Sequence, residues 1–288
     1  MDERDITLFQ SLMDTKNITK TAQNLYMTQS AVTKRLHKLE GELGVPLFIR
    51  TVKGLISTPS ADTIVADMDQ LQTSLLKIRS QSQYAAGHIT GALKIGVSVN
   101  YARYVLPPIL KQYMTDFPNV QIEVTTGQSL DLYQQLQNHQ LFLAVIRGSF
   151  PWTEESRLIS QERVYAVTSP ENRDIPFSRL PYIHRRSDKP FMARVQRWKE
   201  ENQIQDTTTF IQVNDIAACL AMVRCGIGWS ILPEISLKGE TNLLLTPLSF
   251  ADGTPFIRRT FVLYQAEYAT LPQVKILLDR LGGKDSEK

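Results

Sequence analysis

Three short helical patterns follow one another in the first sixty residues with turns of only three or four residues. That spacing constrains the N-terminal fold more than any other feature of the chain. Phe9, Leu12 and Met13 have helical spacing in a first helix over about 2–15. Thr19 is expected to cap a second, short helix carrying Ala22 and Leu25, and Thr28 a third over about 29–43. In the third, Val32, Leu36, Leu39 and Leu43 step by four, three and four residues into one narrow apolar stripe. Its opposite face carries Ser30, Thr33, Lys34, His37, Lys38 and Gly41. Any surface helix has a polar face; this one is set apart by its sign and its neighbours. Residues 15–60 hold seven Lys and Arg against two Glu, an excess of five where the whole chain carries +3. Such a patch is suited to phosphates. Val45-Pro46-Leu47-Phe48, then Arg50, Lys53, Gly54 and Ser57-Thr58-Pro59, read as a hairpin with a basic tip beside the third helix. Together these imply a winged helix-turn-helix whose third helix enters the major groove of double-stranded DNA.

Thr21-Ala22, Leu25, Gln29, Ala31-Val32-Thr33, Leu36, Leu39-Glu40, Leu43-Gly44, Leu47-Phe48 and Arg50 resemble the DNA-binding domain of LysR-type transcriptional regulators, with matching spacing over most of the first sixty residues. Ser30 stands where that family often has proline, and Thr33 where it usually has serine. Carried over by position, the resemblance implies Gln29, Ser30, Thr33, Lys34 and Lys38 as recognition-helix contacts, and Arg50, Thr51 and Lys53 as wing contacts. Gln29, Ser30 and Thr33 are expected to face bases, and the lysines and Arg50 mainly phosphates.

From 60 to about 86 the chain has neither proline nor glycine, and Ile64, Met68, Leu71, Leu75 and Ile78 repeat at 4-3-4-3. That is the seam of a two-stranded coiled coil, although a helix packed on its own domain gives the same stripe. A dimer would carry two recognition helices to half-sites one helical turn or more apart, about 34 Å per turn, on a dyad-symmetric operator. The family resemblance implies the same linker as a dimer element, commonly with pairing into tetramers.

Beyond Gly91 strand and helix patterns alternate, beginning with Ala92-Leu93-Lys94-Ile95-Gly96-Val97-Ser98-Val99. Strands are expected at 92–99, 120–125, 141–146, 164–167, 182–183, 210–213, 229–232 and 259–265, and helices at 104–117, 129–139, 191–202, 215–224 and 272–281. The alternation predicts an α/β domain with a parallel sheet. The segment from Val213-Asn214-Asp215-Ile216 through Gly226-Ile227-Gly228 to Leu232-Pro233 resembles the same family's effector-binding domain, which is similar to periplasmic binding proteins. That implies two α/β lobes joined by crossing strands near 163–168 and 260–265. The family's small-acidic pattern before the third strand is here His139-Gln140-Leu141-Phe142. The expected organisation is a DNA-binding domain at 1–59, a linker helix at 60–88 and an effector domain at 89–288. Within the last, lobe I covers about 91–162 with 266–288, and lobe II about 163–265.

Ligands of open α/β sheets sit beyond the strand C-termini. This nominates Ser98, Asn100, Tyr101, Thr126, Ser129 and Arg147 from one lobe, with His184 and Asn214 from the other; Arg258, just before the crossing strand, is expected to point inward as well. Arg147, directly after a buried strand, suits a carboxylate or phosphate unless it serves a structural salt bridge. The expected effector is a small anionic metabolite, with di- and tricarboxylates as examples.

Against an enzyme, Gly96-Val97-Ser98-Val99-Asn100 fails the last position of G-x-S-x-G, and Gly226-Ile227-Gly228 lacks the rest of a phosphate loop. Four scattered histidines form no cluster, and Cys219 and Cys225 read as small core residues, so no cofactor or metal is expected. A non-specific DNA-organising protein is the other alternative, which the elaborate second domain disfavours. MDERDITLF lacks the order of a signal peptide, and 216–237 is broken by Arg224, glycines, Pro233 and Glu234. A cytoplasmic protein without membrane contact is expected, with RNA polymerase as a further partner.

Overall fold

A computed structural model describes residues 1–52, 54–85, 88–148, 150–185, 187–205 and 210–282. The chain divides into two compact units, Met1–Gly91 and Ala92–Lys288.

In the first unit, α1 (Glu3–Thr15) starts at a capping box in which the Asp2 and Asp5 side chains take each other's backbone N–H groups. Asp5 is buried and ion-paired at 2.6 Å with Arg35 of the third helix, which ties the two helices together. Helix α2 (Ile18–Asn24) is capped by Asn17, whose side chain accepts from the Lys20 N–H; Thr19, the expected cap, falls inside the first turn. Helix α3 (Gln29–Leu43) is capped by Thr28 as its sequence predicts. Val32, Leu36 and Leu39 are buried, whereas Leu43 is 38% exposed where Gly44, at φ +73°, ends the helix. The wing is β1 (Phe48–Thr51) antiparallel to β2 (Gly54–Ser57). Gly54 is required there: at φ +129° a Cβ would sit 2.7 Å from the Lys16 carbonyl, to which the Leu55 N–H donates.

Helix α4 (Pro59–Ala85) follows, with the Thr58 hydroxyl accepting the Ala61 N–H. Its apolar stripe divides in two, which corrects the single seam read from the heptads. Met68 is buried in the core with Phe9, Leu12 and Leu36, and Ile64 and Leu75 pack against the same core. Leu71 and Ile78 are 43% and 63% exposed.

The second unit contains β3 (Gly91–Ser98), α5 (Val99–Tyr104), α6 (Leu106–Asp116), β4 (Val120–Gly127), α7 (Ser129–Gln137), β5 (Leu143–Arg147), β6 (Glu155–Thr168), β7 (Tyr182–Arg185), α8 (Lys189–Glu201), β8 (Phe210–Val213), α9 (Ile216–Arg224), β9 (Trp229–Pro233), β10 (Leu244–Pro247), β11 (Ile257–Tyr264), α10 (Ala266–Ala269) and α11 (Pro272–Leu281). The strands run in the order β4-β3-β5-β11-β6-β9-β7-β8, with β10 also on β6. The sheet is mixed, not parallel as expected from the alternation. β3–β5 and β7–β8 are parallel, but β11 is antiparallel to both β5 and β6, and β6 is antiparallel to β9. β6 and β11 are the crossing strands. β6 begins at Glu155, well before the expected 163, and its first half lies along β11 while its second half enters the other lobe. β10, which is not among the expected strands, pairs antiparallel with the second half of β6.

Leu132, Leu136, Leu141, Ala144 and Ile146 form the core of one lobe. Trp229, Tyr182, Trp198 and Val164 form one core of the other lobe, and Ile183, Cys219, Leu220 and Leu232 a second. Cys219 is a core residue whose thiol contacts the Ile183 carbonyl and the Ser230 hydroxyl, and burial pushes that thiol up. Cys225, expected in the core, is exposed.

Candidate functional site

In the first unit, Gln29, Ser30, Thr33, Lys34 and His37 of α3 line one open concavity of about 530 Å3 with Ile18 and Arg50. Arg50 reaches across from the wing: its Nη2 donates to the Thr33 hydroxyl at 3.2 Å. The cations of α3 are unequal. Arg35 folds back on Asp2 and Asp5. Lys38 lies 3.5 Å from Glu42, one turn on, and does not line the concavity. The Met1 amino group holds the same carboxyl below the usual carboxylate range, with help from Lys38. Lys34 makes no ion pair among the described residues and is exposed. Thr51 donates to the Gly54 carbonyl at 3.0 Å, closing the wing turn. Lys53 lies outside the described residues. Tyr26, missed in the sequence, is 99% exposed between α2 and α3 at φ +53°, a strained conformation for tyrosine.

In the second unit, Ser98, Asn100, Ser129, Arg147, Asn214 and Arg258 come together as nominated, at a cavity of about 60 Å3. Three nominees do not join them. Tyr101 lines a separate hollow of about 680 Å3 with Val105, Leu158, Lys238 and Arg280, where burial pushes its phenol up to about 12. Thr126 is exposed on β4. His184 lies edge-on to Tyr182, 6.0 Å between ring centroids, and does not line the cavity. Gln128, Arg185, Ser187 and Asp188, none of them nominated, do line it.

Arg147 ends β5, its backbone N–H donating to the Ser129 hydroxyl at 3.1 Å. Its side chain is buried, and neither Nε nor Nη2 finds an acceptor among the described residues. Arg258, opposite Glu162 in the β11–β6 register, lies 3.7 Å from Asp188 and over the Phe191 ring; its Nη1 has no acceptor there either. The buried Ser98 hydroxyl is also unpartnered among the described residues. Burial pushes the Arg147 and Arg185 guanidiniums down and that of Arg258 far down, since losing water disfavours the charged form. Burial also raises the Glu162 carboxyl, against the pull of Arg147. Helix α7 starts here without a side-chain cap, leaving N–H groups at its positive end. The arrangement offers hydrogen-bond donors to a ligand that carries acceptor oxygens.

The chain matches two family models. One, described as bacterial regulatory helix-turn-helix protein, lysR family, covers residues 4–62. The other, the LysR substrate binding domain, covers residues 86–285. The HTH-type transcriptional regulator YraN of Bacillus subtilis (strain 168) is 30% identical over 286 residues, 99% of this chain and 98% of its own. YkuM of the same organism is 28% identical over 277 residues, 96% and 94% of the two chains. Among solved structures, full-length OxyR from Pseudomonas aeruginosa has a TM-score of 0.71 at 18% identity, covering 98% of this chain and 94% of that one. Full-length CbnR complexed with its target DNA has 0.59 at 17%, covering 98% and 99%. These two share the fold.

Proposed function

The chain belongs to the LysR family of DNA-binding transcriptional regulators, and we propose that it binds a dyad operator as a dimer under control of a small anion held by Arg147 and Arg258. The observation that carries the control is the pair of buried guanidiniums with unpartnered nitrogens at one cavity. A charge kept from water without an acceptor is costly, and a bound anion removes that cost. An effector shifts DNA binding only as far as its affinity differs between two arrangements of the protein. Its relatives are transcription regulators, so no reaction is assigned.

On the DNA side, Gln29, Ser30 and Thr33 face bases, while Lys34 and Arg50 meet phosphates. Lys38, drawn to Glu42, contributes less. Lys34→Ala should therefore lower specific and non-specific binding alike and flatten the slope of log K against log salt by about one unit. Lys38→Ala should change that slope by clearly less. Equal slopes, measured by titration from 50 to 200 mM salt, would overturn this ranking.

Dimerisation is assigned to the exposed part of the α4 stripe. Leu71 and Ile78 lie seven residues apart on one face. Leu71→Glu should yield a monomer in sedimentation and weaken operator binding, whereas Leu75, packed on its own core, should chiefly affect folding. An unchanged dimer in Leu71→Glu removes this assignment. Tetramers and contact with RNA polymerase are further steps of the same proposal. No described helix is long and apolar enough to cross a membrane, and a cytoplasmic location fits a protein that works on DNA.

Footprinting with and without candidate anions tests the whole reading. A dyad footprint altered by one of them supports it. Protection of DNA without site preference, unaffected by any small molecule, sinks it.

A further inference from the structure

We infer that the effector is a compact oxyanion, an oxygen-rich ion of few heavy atoms in the class of nitrate, sulfate, phosphate or oxalate. This rests on the reading of the cleft as the effector site. Three observations converge. The cavity is small, about 60 Å3, where sites for drug-sized molecules run to about 300–1,000 Å3. Its walls are almost wholly polar: Val99 and Ile216 are the only aliphatic side chains lining it among the described residues. A ligand with a carbon skeleton would gain little apolar burial there, and burial of that kind supplies most of the affinity in ordinary metabolite pockets. The donors, finally, outnumber the acceptors. Arg147 Nε and Nη2, Arg258 Nη1 and Ser98 Oγ are buried and unpartnered among the described residues. Of the facing carboxylates, Asp188 caps α8 through the Phe191 N–H and stands 3.7 Å from Arg258, and Asp215 meets Arg103 at 3.3 Å; neither supplies an acceptor to Arg147 Nε or Nη2. Several convergent donors around so small a cavity match an ion whose surface is nearly all acceptor oxygen. The tricarboxylate end of the expected range suits this small cavity least.

The test uses the full chain in chloride buffer at constant ionic strength. The melting temperature is followed against nitrate, sulfate, phosphate and oxalate, with citrate and benzoate as comparators. At least one compact oxyanion should raise it by about 5 °C at a hundred times its Kd, and citrate and benzoate should not. Ser98→Ala should weaken that oxyanion about tenfold, and Arg147→Met should abolish its effect; if Arg147→Met fails to fold, Ser98→Ala decides. A larger shift from citrate or benzoate, lost in the variants, overturns the size assignment and leaves the anion-responsive cleft standing. A shift that survives both variants overturns the site. No shift from any anion, with a footprint that a neutral compound alters, overturns the anion and retains a ligand-responsive regulator.

Discussion

Arg147→Met is expected to make the unliganded effector domain more stable and, in the same step, insensitive to its anion. Arg147 is 4% exposed, and two of its nitrogens lack an acceptor among the described residues. The folded state therefore carries a cost that the unfolded chain, with its guanidinium in water, does not. Methionine has similar length and adapts its shape to the space left. Replacing a poorly compensated buried charge by an apolar side chain of similar size is often stabilising, here by about 1–2 kcal/mol. That corresponds to a rise of about 2–8 °C in melting temperature for a domain of this size. Glu162 loses an attractive neighbour, but its carboxyl is already raised by burial and its Oε2 keeps the Ile235 N–H at 2.7 Å. Anion affinity should fall about a hundredfold or more, as expected when one partner of a desolvated charge contact is removed. Calorimetry without ligand and footprinting with it separate the two effects. A melting temperature several degrees below the parent would mean that Arg147 is a structural partner of Glu162.

Local features were the readable ones. Thr28 caps α3, and Val32, Leu36 and Leu39 enter the core, because capping and a 3.6-residue period act within one helix. The α4 stripe was visible but ambiguous: a period near 3.5 residues suits a partner helix and an own-domain core equally, and the packing of α1 on α4 takes Ile64, Met68 and Leu75. Arg147 could be nominated because the strand-end rule needs only chain order, and Arg258 because it stands at the start of the crossing strand. Tyr101 was misplaced because 99–104 forms its own helix, which turns each residue about 100° from the last. Arg185, Ser187 and Asp188 were missed because the expected strand at 182–183 runs on to Arg185, which delivers the chain to the cavity. The first half of β6, ESRLISQER, has no alternating pattern because it is largely exposed and held by β11. Among the cations of α3, Lys38 has its carboxylate partner Glu42 one turn away, which is legible in the sequence, whereas the pairing of Arg35 with Asp2 and Asp5 depends on how α3 packs on α1.

Gly228→Ala should unfold the Trp229 lobe of the effector domain while the DNA-binding unit stays folded. Gly226-Ile227-Gly228 lacks the rest of a phosphate loop, and the fold gives Gly228 a packing task instead. A Cβ there would lie 2.1 Å from the Pro181 carbonyl oxygen and 3.0 Å from its carbon, and backbone cannot swing aside as a side-chain tip can. The same carbonyl accepts the Trp229 N–H at 3.1 Å, and Tyr182 pairs with Trp229 in the parallel β7–β9 contact. Relieving the clash means withdrawing β9 from β7. Trp229 moves with β9; it is 1% exposed, 4.6 Å from the Phe177 ring and 4.8 Å from that of Tyr182. Loosening it costs part of the about 3–5 kcal/mol that truncation of such a residue costs, on top of about 1–3 kcal/mol for overpacking. That sum is comparable to the whole stability of an ordinary domain, about 5–15 kcal/mol. Lobe II supplies Arg185, Asp188 and Asn214 to the cavity, so the anion response should vanish with it. Residues 1–91 bury a core of their own around Phe9, Leu12 and Leu36, and that unit holds the recognition helix and α4. Operator binding should therefore persist at low temperature without its response to anions. The control is Gly239→Ala: φ there is +85°, which a side chain strains, but its Cβ meets nothing within 4 Å, so it should cost far less than the clash at Gly228. If Gly228→Ala melts within a degree of the parent and keeps its anion response, the close approach of β9 to Pro181 does not hold this lobe together.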